Sequence, residues 1–136
     1  MTNEAVIIEL LGNQGEVIDF SVDDQVAIEK GTLLMLQDAR KVSGAYSTGP
    51  IFAGISASEK VASDGQTNLG CYTFGIFDLK VNAGAGVTLG AKVALSGANL
   101  IRDATEAEIA AGKAVGKALE TGSANEVIEV LVTPNP

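Results

Sequence analysis

The sequence predicts an all-β protein, and three observations carry that expectation. A phrase occurs twice: Ile28-Glu-Lys-Gly-Thr-Leu-Leu-Met-Leu36, leading into Asp38 to Val42, returns 59 residues later as Val87-Thr-Leu-Gly-Ala-Lys-Val-Ala-Leu95, leading into Gly97 to Ile101. Sixteen glycines and only 4% aromatic residues point to many tight turns around a core of Val, Ile, Leu and Ala. The apolar runs are short, alternate with period two and are bounded by turn residues, as strands are. Together they give about nine or ten short strands and one short helix in a compact barrel or sandwich. Two copies of a phrase are too few for a solenoid.

Residues 5–11, Ala-Val-Ile-Ile-Glu-Leu-Leu, read as a strand or an extended arm, followed by a turn at Gly12 to Gly15. From Val17 to Val22 the pattern alternates, with Ile18, Phe20 and Val22 on one face; Asp23-Asp24 then reads as a solvated turn. Each copy of the repeat supplies a turn glycine (Gly31, Gly90), a strand, a second turn and a returning strand. A loop at Ser43 to Pro50 precedes a strand at Phe52 to Ala57, and Ser63 to Gln66 forms a hairpin-type turn. In the long run from Leu69 to Val81 the alternation changes phase beside Gly75, which predicts one strand serving two sheets or two strands joined by a kink.

The helix is expected near 105–112, where Thr105 can cap it, Glu108 can complete a capping box and Gly112 can end it. Ala114 to Leu119 echoes the strand at 52–57, but Gly116 follows Gly54 by 62 residues rather than 59. The three extra residues fall where the helix sits. The copies therefore read as related elements of one barrel with the helix inserted across an end. Glu126 to Val132 is the last strand, and 133–136 a tail. At 136 residues the expectation is a single β domain over 1–136, with 1–22 as an N-terminal arm or hairpin.

Charge and composition narrow the function. Nine basic against 17 acidic residues give a net charge of −8, and residues 1–29 hold seven acids and no Lys or Arg. That disfavours nucleic acid and anionic membrane as partners, since both need a basic face. No apolar run approaches a membrane span, and the N-terminus lacks a basic signal region, so synthesis in a cytoplasm is expected. Cys71 has no second cysteine to pair with and reads as a buried small hydrophobe.

The chain has no histidine, which removes Ser-His-Asp and Cys-His machinery and the commonest metal ligand. Gly112 to Lys117 has three residues between its glycines where a phosphate loop has four, and Gly84 to Gly90 misses the dinucleotide spacing. No catalytic residue, metal site or cofactor is predicted.

Several tracts resemble the capsid cement, or head decoration, proteins of tailed bacteriophages: Val26 to Gly31, Phe52 to Ile55, Gly75 to Leu79, Val87 to Val93, Ala114 to Ala118 and the closing strand. The resemblance implies an SH3-like or β-tulip-type barrel and no enzymatic activity. It implies a virion location on the capsid exterior, the major capsid protein as partner, and homo-oligomers with a trimer favoured. The role implied is bridging of capsid subunits. Another phage interaction module, such as a tail or baseplate component or a β-rich adaptor, is the alternative, and an enzyme or small-ligand binder a third. The partner-binding candidates are Val6, Ile7, Ile8, Leu10 and Leu11, an apolar segment suited to adding a strand to a partner sheet. The competing reading makes 5–11 an ordinary internal strand.

Overall fold

The computed structural model describes residues 3–9, 17–38, 40–44 and 49–133. Eleven strands and one helix run through them: β1 Val6–Glu9, β2 Ile18–Val22, β3 Leu33–Leu36, β4 Lys41–Gly44, β5 Phe52–Ser56, β6 Asn68–Tyr72, β7 Gly75–Val81, β8 Lys92–Leu95, β9 Leu100–Asp103, α1 Glu106–Ala110, β10 Ala114–Ala118 and β11 Val127–Val132. The all-β class and the helix inside 105–112 are as expected. The strands close into two five-stranded barrels where the sequence pattern suggests one. The first barrel runs β2-β4-β3-β5-β6. The second runs β7-β11-β10-β8-β9 and is closed by parallel pairing of β9 with β7, and β1 joins its sheet through β7.

The doubled phrase is the visible part of a doubled structure. Ser21 stands opposite Lys41 and Asn68; Lys80, 59 positions on, stands opposite Leu100 and Val127. Leu34 faces Gly54 where Val93 faces Gly116, each beside a break in register. The bridge Ile28–Lys60 recurs as Val87–Gly122. The chain crosses between barrels at Gly75, whose φ of 148° lies where side-chain-bearing residues are strained. The phase change in the sequence is therefore the junction of two strands, β6 in one barrel and β7 in the other.

Inside the first barrel lie Val22, Ile28, Leu34, Val42, Leu69 and Cys71. The Cys71 thiol is fully buried, and burial, with the Asp19 charge second, pushes its pKa up to about 12, so it packs as the predicted hydrophobe. The larger core contains Phe77, Leu79, Val81, Val93, Leu95, Ile101, Ile128 and Val130 of the second barrel, and also Ala5, Leu33, Met35 and Ile55. β3 thus turns Leu34 inward, and Leu33 and Met35 outward against the second barrel. Each such side chain contributes ~1.5–3 kcal/mol when fully buried. Asn99, at φ 56° in the β8–β9 turn, accepts the Leu33 N–H on Oδ1 at 2.9 Å across the same seam.

The Asp23-Asp24 turn proves structural rather than merely solvated. The side chain of Lys60 is fully buried, and its Nζ donates to the Asp24 carbonyl at 2.7 Å, the Val61 carbonyl at 3.0 Å and Asp64 Oδ1 at 3.1 Å. The Asp24 carboxylate stands 3.7 Å from the same ammonium. This satisfied cation ties the longer β5–β6 connection to the β2–β3 turn.

Helix α1 is held at its start by the predicted capping box: Glu108 N–H donates to Thr105 Oγ1, and Thr105 N–H donates to Glu108 Oε1. Arg102 of β9 grips the same carboxylate with two parallel bonds, Nη1 to Oε1 at 2.7 Å and Nη2 to Oε2 at 2.6 Å. Arg102 first, and the Thr105 amide after it, hold the Glu108 pKa down to about 2 from its ordinary 4.5. A depressed carboxylate stabilises the fold above its unfolded pKa and loses that contribution as pH falls through the folded value. Stability therefore declines between about pH 4.5 and 2. Urea titrations across that window are expected to show a shallower decline in Glu108→Gln, while an unchanged slope would remove Glu108 as a source of acid sensitivity.

Candidate docking surface

Antiparallel β1 lies along the first half of β7, with Val6 opposite Asp78 and Ile7 opposite Phe77, and a register break follows. The same side of β7 turns to β9 at Lys80 and Val81, while β11 takes the other side. β1 is therefore an edge strand, the terminal member of its sheet. Of the strand or extended arm that the sequence suggests over 5–11, the structure has a strand at Val6–Glu9, at the edge of its sheet. It is fixed on one side and has its other side at the sheet edge.

Its root is anchored by a close backbone approach. Ala5 is buried in the larger core, and its N–H donates to the Gly31 carbonyl at 2.7 Å. A Cβ on Gly31 would stand 2.7 Å from the Ala5 carbonyl oxygen and 2.8 Å from Glu4 Cβ, and Gly31 has φ of 86°. The turn glycine of the doubled phrase thus also seats the N-terminal segment. Beyond this root the side chains emerge: Val6 is 56% exposed, Ile7 36% and Ile8 45%. Among the candidates, Val6, Ile7 and Ile8 are thereby brought together on one edge strand. Leu10 and Leu11 lie outside the described residues.

Beside β1 runs a half-open groove of about 330 Å³, lined by Ala5, Val6, Ile7, Lys30, Gly31, Ile55, Ser56 and Tyr72. It follows the seam where β1 meets the first barrel. Sequence reasoning does not find Ile55 and Tyr72 here, because their approach to residues 5–7 depends on long-range pairing. Their signal is present only as apolar positions on strands. An edge strand with exposed aliphatic side chains next to an apolar groove can accept an extended segment through backbone hydrogen bonds and side-chain pockets. Among the described residues, no group of three or more His, Cys, Asp or Glu side chains is placed to hold a metal ion.

A model of a family described as phage cement protein matches residues 12–134. No individually curated protein matches the chain. Among solved structures, the chain resembles the head fiber gp8.5 N base of bacteriophage phi29, with a TM-score of 0.55 at 13% identity, covering 88% of this chain and 96% of that one. At that identity the likeness concerns the fold.

The anchoring of β1 through Gly31 is testable. Gly31→Ala is expected to destabilise the protein by about 1–3 kcal/mol, from the positive φ and the clash with Ala5. It should also raise amide exchange at Val6 to Glu9 ahead of the barrel strands. Unchanged protection of β1 would show that the close approach does not hold it.

Proposed function

The chain belongs to the phage cement protein family, and from that premise we propose that it decorates the outer surface of a viral capsid and stabilises the shell by bridging major capsid subunits. The observation that carries this reading is the exposed aliphatic edge strand, Val6 to Ile8, set beside the groove on a body made of two closed barrels. Closed barrels leave few free sheet edges, so a strand displayed at an edge is an exception to the way the rest of the molecule is finished. The role asks for a body that holds its shape and an edge free to dock, and the closed barrels and the exposed strand β1 support that reading.

In this reading Val6, Ile7, Ile8, Leu10 and Leu11 face the major capsid protein, with backbone pairing along β1 and aliphatic contacts beside it. The acidic residues of the first 29 add complementary charge against a basic shell. Residues 1–136 act as a single β domain, supported by the core that both barrels share. The assembled form is a homo-oligomer, a trimer by preference, made in the host cytoplasm and carried on the capsid exterior. The resemblance of the fold to the base of a phage head fiber is in keeping with a place on the head. No catalytic step is part of the proposal.

The test is co-sedimentation of the purified protein with expanded and unexpanded shells of the parent phage, at low and moderate salt. Binding to expanded shells is expected. Val6→Lys combined with Ile8→Lys, at exposed positions, should weaken it by about tenfold or more, equivalent to ~1.4 kcal/mol. Failure of the unmodified protein to bind expanded shells at either salt would overturn the capsid role. Full binding by the double variant would move the docking surface away from β1.

A further inference from the structure

The register that relates the barrels identifies, residue for residue, the second barrel's counterpart of the surface by which the first is held. In the first barrel Leu33 stands opposite Ile55, and Met35 opposite Phe52, all outward on β3 and β5. These four pack into or against the shared core. The same positions on β8 and β10 carry Lys92 opposite Lys117, and Ala94 opposite Ala114. An apolar face in one barrel has become a face of two lysines and two alanines in the other.

The two halves of that face have different fates. Ala94 and Ala114 are buried, although neither reaches far from the sheet. Arg102 stands opposite Ala94, and its guanidinium is bound to Glu108 of α1. The helix is thereby tied to β9 beside the small-residue half, with Gly49 of the β4–β5 connection against the same carboxylate. It lies in a connection from Asp103 to Ala114 that is three residues longer than the matching one from Gly44 to Phe52. On the other half Lys117 is exposed and Lys92 half-buried.

We infer that this face is a closed end: α1 and the Lys92–Lys117 pair stand where a further barrel would dock, and they bar the face to a barrel of a second copy. Docking there would strip water from two ammonium groups set directly opposite one another on neighbouring strands. Like charges so placed already repel, and the cost of burying them without partners exceeds what apolar packing against the face would return. The need for such an end follows from the geometry of the tandem. The first barrel gives its β3–β5 face and the second receives it around Asn99 and the Leu95 end of β8, where the Gly49 N–H donates to the Leu95 carbonyl, and not through Lys92 and Lys117. A contact between unlike faces, repeated between copies, closes into a ring only where its rotation allows and otherwise runs on into a fibre. Lysines on an exposed sheet surface end such a series at the second barrel.

The experiment restores the first barrel's residues. Lys92→Leu with Lys117→Ile is made in the full chain, and its mass is followed by sedimentation velocity over a concentration range beside the unmodified protein. Lys92→Gln with Lys117→Gln serves as the charge-only control. The apolar variant is expected to associate with rising concentration, its average mass roughly doubling or more where the unmodified protein keeps one state. The Gln variant should behave as the unmodified protein does. A folded apolar variant with the unmodified protein's mass at every concentration would overturn the inference. So would association of the Gln variant to the same extent, since the effect would then belong to net charge. Should the double variant not fold, Lys117→Ile alone, at the exposed position, carries the same two outcomes.

Discussion

The structure depends on the apolar seam between two barrels. A five-stranded barrel this small has room inside for only a few side chains, and the first is filled by residues such as Leu34, Val42, Leu69 and Cys71. Further large apolar side chains are turned outward on β3 and β5. Leu33, Met35 and Ile55 would lie in water if the first barrel stood alone; in the chain they join the core of the second. Exposure of that face would cost several kcal/mol at ~1.5–3 kcal/mol for each large side chain. The seam is therefore both the joint of the molecule and a condition for the first barrel's persistence.

The rest of the architecture is arranged around that joint. Gly75 turns the chain from β6 into β7, so the strands on either side of the seam are successive in sequence. Tyr72 and Phe77 meet across this turn with ring centroids 6.1 Å apart. Asn99 takes up the Leu33 amide, a buried donor that would otherwise lack its partner at the margin of two cores. Ala5 enters the same core, and Gly31 allows it the approach it needs. β1 is then laid along β7 with Val6, Ile7 and Ile8 exposed. The exposed edge strand is thus positioned by the seam.

Much of this is legible in the sequence where local pattern decides the outcome. The doubled phrase marks matching strands in the two barrels, and its two offsets, 59 and 62, mark where one connection is longer. The phase change at Gly75 marks the passage between sheets. Thr105 and Glu108 mark the helix, because a capping box acts within one turn. Two barrels are not legible, since Leu33-Leu34-Met35-Leu36 is apolar at every position and period two cannot say which face is core. The burial of Lys60 and Asn99 is equally hidden, because each makes a bond to a group far along the chain, Lys60 to Asp24 and Asn99 to Leu33. Val6 to Ile8 draws attention as an apolar run. Only the pairing with β7 shows it to be an edge with its side chains exposed.

The central claim, that one seam makes two barrels a single cooperative body, is tested most directly by native-state hydrogen exchange followed residue by residue as denaturant is raised. The most protected amides of β3 and β5 in the first barrel and of β7 and β11 in the second should converge on one opening free energy with one denaturant dependence. Two separate sets, with the first barrel opening at lower free energy while the second stays closed, would contradict it.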